Sequence, residues 1–273
     1  MNTRVRQASR VVAFTSLGAT LYAAGALATA YIQSPWGTGQ FRPAVIIPSI
    51  FSILFGPFVG GLSAAIGTLV ADSIKHGTLY LPSLVAAVPS NFVGFYLLGK
   101  LLEGRFSWNR FIGASLLALL VGNALCAALY TGYKVAIGAL PSQLLPGLTV
   151  GLTVWWFSTM IPFQLLLLPP LLKALVRALP GLVPAEVKKE CEEGVTPRGA
   201  LISALLIASA PALILAVVTA LSEDIALFFV GALPSQVQPV VRSLIVMMFA
   251  ATGVGLAAAS LYLALRGKAT RRS

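Results

Sequence analysis

The sequence predicts an all-α polytopic membrane protein, and three observations support this. Of its 273 residues, 58% are hydrophobic and only 10% are charged, with a mean hydropathy of +0.89. A soluble globular domain has about a quarter of its residues charged, and intrinsic disorder requires low hydrophobicity. The apolar runs, such as Leu116–Ala128 and Ala200–Leu221, are long, whereas a transmembrane β-barrel shows alternating segments of about ten residues.

Eight membrane-spanning segments are predicted, because a helix needs about 20 apolar residues to cross the hydrocarbon core. They lie at residues 11–32, 43–56, 57–74, 80–102, 110–135, 148–173, 199–222 and 238–266. The first follows Arg4, Arg6 and Arg10, as the apolar core of a signal peptide would, but it is too long for one. We therefore expect the first segment to be retained as a transmembrane helix.

The second segment differs from the others in length and in its prolines. Residues 43–56 number only 14, about 21 Å as a helix, which is short for the hydrocarbon core. Pro43 and Pro48 flank and interrupt this segment, and Gly56-Pro57 breaks the chain after it. A tilted short helix, a re-entrant segment and one half of a long kinked helix all fit this pattern.

The distribution of charge favours a hairpin at Gly56-Pro57 and predicts the orientation in the membrane. The net charge is +11, and the cytoplasmic loops of membrane proteins carry the excess of Lys and Arg. With eight crossings, most basic residues face the cytoplasm, whereas merging 43–74 into one crossing would split them between both faces. We expect both termini in the cytoplasm of a multi-pass plasma-membrane protein, with anionic lipid rather than nucleic acid opposite the positive charge.

The chain is expected to divide into three parts: a six-helix membrane unit at 1–176, a cytoplasmic polar linker at 177–198, and an additional transmembrane hairpin with a short basic tail at 199–273. In the linker, the mixed-charge run Glu186–Glu193 predicts a short solvated helix. The hexapeptide Gly-Ala-Leu-Pro-Ser-Gln occurs at 138–143 and again at 231–236, each time on the predicted outer side. Either a turn motif arose twice, or one helix hairpin was duplicated in parallel orientation.

Four basic residues depart from the positive-inside pattern and lie on the predicted outer side: Arg42, Lys75, Lys134 and Arg242. Arg42 precedes the short second helix, where it would bind a carboxylate or other anion or snorkel to lipid phosphates. The loop before it, residues 33–41, is rich in glycine and carries Trp36 and Phe41. This loop would form a lid over a site, or Trp36 would anchor the protein at the membrane interface.

Asp72, Lys75 and His76 end the third segment, and their spacing places them on one face of a helix. Asp72 also continues a stripe of small residues that favours close helix packing. An ionisable group inside the membrane is a candidate functional residue; the alternative is an internal ion pair between Asp72 and Lys75. His76 would be a proton-sensitive ligand or an exposed interfacial side chain.

Amide and aromatic residues complete the predicted substrate site. Asn91 and Asn123 lie within membrane segments, where they would contact substrate or hydrogen-bond neighbouring helices. Tyr130 and Lys134 end the fifth segment, and Trp155 enters the sixth from the same side. Together these residues would form a pocket for a small planar or amphipathic ligand, or an aromatic belt facing lipid.

Catalysis, cofactors and metals are not expected. The sequence has no P-loop, no Gly-x-Ser-x-Gly elbow and no zinc-ligand spacing, and His76 is its one histidine. Cys126 lies in an apolar run and Cys191 in the polar linker, so the two are expected at different depths and not in a disulfide. We therefore predict a protein that is not an enzyme.

Several motifs of the first six segments occur in a layout that resembles a known family. The first helix carries Ala19-x-x-x-Ala23, and the proline-containing stretch Arg42–Ile50 follows. A Phe-Gly-Pro turn lies within Leu54–Gly61, before a glycine-rich helix that ends at Asp72. In these features residues 11–176 resemble the substrate-binding S component of energy-coupling-factor (ECF) transporters. The helix pair at 199–266 departs from the usual six-helix S component.

The resemblance implies a function and a set of partners. The six-helix unit would bind a vitamin-like micronutrient from outside and dock, through Ala19 and Ala23, onto a coupling membrane protein. Two cytoplasmic ATPases would then drive the uptake. The sequence leaves two alternatives open, a stand-alone secondary carrier and a membrane sensor or scaffold protein.

Overall fold

The structure, a computed structural model, describes residues 3–269, with side chains from 8 to 266, and every regular element in that range is a helix. The helices are α1 (Thr3–Ala28), α2 (Ile46–Phe55), α3 (Pro57–His76), α4 (Val88–Leu102), α5 (Trp108–Ala136), α6 (Leu145–Pro162), α7 (Leu168–Ala178), α8 (Ala185–Glu193), α9 (Arg198–Leu221), α10 (Glu223–Val230) and α11 (Gln238–Ala269). The predicted all-α polytopic fold is confirmed.

Seven stretches of the described chain are long and apolar enough to cross a membrane. They are residues 8–28, 57–76, 83–102, 108–136, 142–178, 198–221 and 238–266. The remaining predicted segment is the shorter apolar helix Pro43–Phe55. Gly56, at φ +94°, ends α2, and Pro57 begins α3, a pairing in which glycine adopts a turn and proline starts a helix. The chain therefore reverses at Gly56, and the alternative of one long kinked helix is wrong.

Two of the long stretches contain a single wide turn, and proline explains both. The widened turns are Ser83–Ala87, before α4, and Phe163–Leu167, between α6 and α7. Pro89 and Pro169 each follow two residues later. Because proline has no amide hydrogen to donate to the preceding turn, the backbone widens locally while the helix continues. The sixth predicted segment is thus one stretch, Ser142–Ala178, longer than the predicted 148–173.

Successive passes run in alternating directions, so the connections gather at two ends of the bundle. We call one the cavity end; it contains residues 29–42, 77–82, 137–141 and 222–237. We call the other the tail end; it contains Gly56 and residues 103–107 and 179–197. With α2 counted as a pass, α1 begins and α11 ends at the tail end. The positive-inside rule predicts that the tail end is cytoplasmic.

The additional helices pack against the six-helix unit. The Ser209 hydroxyl of α9 donates to the Gly253 carbonyl of α11 at 2.7 Å, which joins the pair. The Ser158 hydroxyl of α6 donates to the Ala208 carbonyl of α9 at 2.8 Å. These buried hydrogen bonds fix α9 and α11 against α6.

The predicted solvated linker helix forms as α8, with one face exposed and the other buried. Val187 and Cys191, four residues apart on one face, are only 2% and 7% exposed. The Glu190 carboxylate accepts a hydrogen bond from the backbone amide of Trp108 at 3.0 Å, at the start of α5. Within the charged run, the apolar residues at helical spacing place α8 against the tail end.

Ala19 and Ala23, which the sequence predicts to dock a coupling protein, are not exposed in the structure. Each is 5% exposed, because α1 packs against α3 through this face. A Cβ added at Gly67 of α3 would lie 2.7 Å from the Ala19 carbonyl oxygen, and Ala23 clusters with Ala71. Small-x-x-x-small spacing permits close approach of any two helices, and here the partner helix belongs to the same chain.

Candidate functional site

A cavity of about 390 Å³ opens at the cavity end, and the short α2 explains its location. The apolar stretch Pro43–Phe55 reaches only about 20 Å as a helix, so it fills only part of the thickness of the bundle. Between the start of α2 and the cavity end lie the loop before Pro43 and the ends of the longer helices α3, α5 and α6. The volume lies within the range of small-molecule sites.

The loop at residues 33–41 folds over this space as a small hairpin. Gln33 and Gln40 form an antiparallel bridge, and the Ser34 amide donates to the Gly39 carbonyl at 3.0 Å. Gly37 and Gly39 have φ of +68° and +71°, which glycine adopts without strain. The glycine content noted in the sequence therefore serves a tight turn at the cavity.

Two residues of the six-helix unit hold this loop in place. The indole of Trp156 donates to the Gln40 carbonyl at 3.1 Å. At the tip of the loop, the hydroxyls of Thr38 and Tyr130 share a hydrogen bond. The loop is thus fastened to α6 at its base and to α5 at its tip.

A buried ion pair forms the base of the cavity. The Arg42 guanidinium, 8% exposed, binds the carboxylate of Asp72, which is 5% exposed. Arg42 also donates to the Thr68 hydroxyl and, at 3.1 Å, to the Gln40 side-chain carbonyl. Arg42 is therefore paired with a carboxylate inside the protein, and its burial does not fit snorkelling to lipid headgroups.

Lys75 does not form the ion pair with Asp72 that the sequence left open. Its ammonium donates to the Ala30 carbonyl at 2.7 Å and lies 5.5 Å from the centre of the Tyr31 ring. Asp72 is instead paired with Arg42 from the loop before α2. The base of the cavity therefore carries a compensated pair of charges.

An aromatic wall stands at the mouth of the cavity. The rings of His76 and Tyr80 are stacked, with centroids 3.7 Å apart and planes 5° apart, and His76 Nδ1 lies 2.7 Å from the Asp72 carbonyl oxygen. Burial, and then the neighbouring Tyr130, raises the pKa of Tyr80 above its usual range. Tyr80 therefore stays a neutral hydroxyl at any physiological pH.

Polar side chains also face the deeper part of the cavity. Asn91 and Asn123 line it, and the Asn123 amide approaches the Met160 sulfur at 3.6 Å. Ser83 lines it too; its hydroxyl is buried and has no hydrogen-bond partner among the described residues. An unpaired buried hydroxyl is costly, so Ser83 is suited to bind a polar ligand atom.

Most of the residues predicted from the sequence as substrate-binding do line the cavity: Trp36, Arg42, Asp72, Lys75, His76, Asn91, Asn123, Tyr130 and Lys134. Phe41 and Trp155 do not. Phe41 packs edge-on against Phe163, with ring centroids 5.4 Å apart, and Trp155 packs against Phe249 at 6.1 Å. Neighbouring residues of a helix point about 100° apart, so Trp156 rather than Trp155 faces the cavity.

The sequence reading missed several residues of the lining: Tyr80, Ser83, Cys126, Leu140 and Leu233. Tyr80 follows His76 by four residues, so one available signal was an aromatic residue next to a predicted ligand. Leu140 and Leu233 belong to the two copies of the repeated hexapeptide, which the sequence explains as a recurring turn or a duplicated hairpin, and neither explanation predicts a cavity lining.

Comparison with known proteins identifies the family. Residues 6–162 match the model of the ECF-type riboflavin transporter, S component, family, whereas no curated protein and no solved structure matches the chain. The match covers more than half of the chain, from α1 to the end of α6. The members of this family are membrane-embedded substrate-binding components of transporters, not enzymes. The chain therefore belongs to the ECF-type riboflavin transporter S component family.

Proposed function

We propose that this chain binds riboflavin at the cavity end and delivers it for uptake driven by separate ATPases. The observation that supports this most strongly is a cavity whose buried charges, Arg42 and Asp72, neutralise each other. A ligand that enters it meets hydroxyls, amides, aromatic rings and the ammonium groups of Lys75 and Lys134, and at the base a pair of charges that compensate each other. Riboflavin is uncharged at neutral pH and combines a planar ring system with a hydroxylated chain.

The lining suits both parts of that molecule. The parallel rings of His76 and Tyr80 present flat aromatic surface at the mouth, where offset stacking is favourable. Deeper in the cavity, Asn91, Asn123 and Ser83 offer donors and acceptors for ring carbonyls or chain hydroxyls. The affinity would come from the stacked area and the selectivity from the hydrogen bonds.

A binding measurement on the purified full chain tests this assignment directly. Riboflavin fluorescence should be quenched on binding, with one riboflavin per chain. Ala87→Phe, which places a ring in the cavity lining, should abolish the quenching, and Ala258→Phe, on an exposed face of α11, should leave it unchanged. Failure of the unmodified chain to bind riboflavin would reject the assignment.

ATP-driven coupling requires a surface on which a membrane partner can dock. The buried Ala19 and Ala23 do not provide it, but Ser16, Thr20 and Ala24 of α1 are exposed at spacing four. Small side chains let a partner helix approach closely. This stripe is our candidate for the coupling surface.

Uptake of radiolabelled riboflavin into cells that also produce the coupling protein and the ATPases tests the docking step. Thr20→Trp together with Ala24→Trp should block uptake while leaving riboflavin binding intact. Ile214→Trp, on an exposed face of α9, is the control and should leave uptake unchanged. Uptake that persists without ATPases and follows an ion gradient would identify a secondary carrier instead.

A further inference from the structure

The two copies of the repeated hexapeptide border the same cavity. Leu140 of the first copy and Leu233 of the second are equivalent positions, and both line the cavity. The turn at the proline is also equivalent in the two copies, although Gly138 has φ +69° and Gly231 has φ −60°. The Leu144 amide donates to the Pro141 carbonyl at 3.1 Å, and the Val237 amide donates to the Pro234 carbonyl at 2.8 Å.

The second copy lies outside the region that matches the family. That match ends at residue 162, whereas Leu233 lies between α10 and α11. We call residues 198–269, which comprise α9, α10 and α11, the C-terminal unit. A cavity residue of this protein thus comes from a part of the chain that the family model does not cover.

The contact between the C-terminal unit and the cavity end is close. A Cβ added at Gly147, in the first turn of α6, would lie 2.3 Å from the Phe228 carbonyl oxygen of α10. Only glycine allows this approach of α10 to α6. It seats the loop that carries Leu233 beside the start of α6, where the first copy of the hexapeptide ends.

The C-terminal unit also holds the tip of the loop at residues 33–41. The Trp36 indole donates to the Phe229 carbonyl at 3.2 Å, and its ring lies 6.2 Å from that of Phe229 and 6.1 Å from that of Phe249. A Cβ added at Gly151 of α6 would lie 2.2 Å from the Trp36 ring. Trp36 therefore occupies a fitted slot whose far side is made by α10 and α11.

We propose that the C-terminal unit is part of the ligand site: Leu233 contacts the ligand, and Phe229 and Phe249 position Trp36 so that the loop at residues 33–41 stays over the cavity. The identity of the ligand rests on the proposed function, but the positioning of Trp36 does not. Trp36 is in this view both a lining residue and the link between loop and unit.

The role of Leu233 is tested by riboflavin titration of matched leucine variants. Leu233→Ala and its equivalent Leu140→Ala should each raise the Kd for riboflavin by about tenfold, because each removes apolar contact area. Leu261→Ala, on the same unit but 60% exposed away from the cavity, should leave the Kd unchanged. Leu233→Met, which keeps the volume, should restore most of the affinity, and an unchanged Kd for Leu233→Ala would overturn its contact with the ligand.

The positioning of Trp36 is tested without any ligand, through the half-buried Cys126, which lines the cavity. In a Cys191→Ser background, a small membrane-impermeant thiol reagent should label Cys126 slowly. Trp36→Ala should speed labelling severalfold, Phe249→Leu should speed it less, and Trp36→Phe should lie close to the unmodified chain. If Trp36 only stabilised the fold, the labelling rate of each variant would rise in step with its loss of thermal stability, and that result would overturn the proposal. Labelling rates that are equal in all the variants would overturn it as well.

The two tests separate the two hypotheses. If riboflavin binds and protects Cys126 but neither the Leu233 nor the Trp36 variants differ from the unmodified chain, the role of the C-terminal unit is rejected and the proposed function stands. If riboflavin neither binds nor protects, while Trp36→Ala still speeds labelling, riboflavin is rejected as the ligand and the positioning of Trp36 stands.

Discussion

The cavity end and the tail end use the same kinds of residue to opposite effect. At the cavity end, tryptophan, lysine and carboxylate side chains surround open space. At the tail end, Trp108 is fully buried, its indole donates to the Glu190 carbonyl at 3.2 Å, and Lys173 lies 5.6 Å from its ring. Trp108, Glu190 and Lys173 are thus engaged in contacts with one another rather than facing the cavity.

The difference arises in the backbone rather than in composition. The cavity end has a short α2 and a glycine hairpin that folds over the space beside its start. At the tail end, α8 lies across the bundle and places Glu190 directly on the start of α5. Non-helical backbone at membrane depth is tolerated where it is buried in protein or lines a cavity, and the loop at residues 33–41 lines one.

The largest expected effect comes from breaking the charge pair at the cavity end. Arg42→Met alone should cost about 3–5 kcal/mol of folding stability, because it leaves the Asp72 carboxylate buried without a partner. Arg42→Met combined with Asp72→Leu should recover most of that loss, since no charge is then left unpaired. Thermal unfolding of the detergent-solubilised protein measures both.

The double variant also tests what the ion pair does for the ligand. If the pair only fills the base of the cavity, riboflavin binding should return with stability. If Arg42 or Asp72 contacts riboflavin, binding should stay weak in the stable double variant. If the double variant is no more stable than Arg42→Met, the loss of stability in Arg42→Met does not come from an unpaired Asp72 carboxylate.

A second contrast lies in the two cysteines, one at each end. Burial, and then the carboxylates of Glu190 and Glu192, raises the pKa of Cys191 to about 11, against an ordinary 9.0. At pH 8 its thiolate fraction is then about a hundredfold lower than that of a free thiol, and it should rise about tenfold per pH unit up to pH 11. Alkylation by iodoacetamide in a Cys126→Ser variant, followed by mass spectrometry, measures this.

Denatured protein supplies the control for Cys191. Unfolding exposes the thiol, so its pKa should fall back and its alkylation at pH 8 should accelerate. Equal rates in the native and denatured protein would mean that α8 does not pack on the tail end as described.

Gly151→Ala tests whether the position of Trp36 at the cavity end matters for riboflavin binding. The added methyl group would displace the Trp36 ring and should weaken riboflavin binding by about tenfold, or roughly 1.4 kcal/mol. Gly113→Ala, on α5 with open space around it, should leave binding unchanged and raise stability by up to about 1 kcal/mol. Fluorescence titration and thermal unfolding of both variants check this. Equal riboflavin affinity in the two variants would show that the position of Trp36 does not affect binding.

Much of the fold followed from the sequence because it depends on local signals. Apolar run length placed the seven long helices, and the Gly56-Pro57 break together with charge distribution predicted the hairpin that the structure contains. The amphipathic pattern of α8 was also local but was obscured by its charged residues. Its burial depends on Trp108, which lies 82 residues before Glu190 in the sequence, and no local pattern reports this contact.

The site was predictable in outline but not in its pairings. Nearness to the predicted outer ends of helices selected Arg42 and Asp72 as cavity residues, and an amide inside a membrane segment selected Asn123. Which residue Asp72 would bind was not predictable, because Arg42 approaches it from a loop whose path only the folded chain defines. The same holds for Trp155, since its direction depends on the rotation of α6 against α9 and α11.

The smallest expected effect is at the tail end, where Glu190→Ala removes the side-chain acceptor for the Trp108 amide. Loss of such a contact at a helix start costs about 1 kcal/mol, whereas Glu193→Ala, exposed on the same helix, should cost almost nothing. Thermal unfolding should separate these two variants, while both keep the Kd for riboflavin of the unmodified chain. Because the tail end packs without lining the cavity, a changed Kd in Glu190→Ala would show that the two ends are energetically coupled, so that α8 would take part in binding as well as in packing.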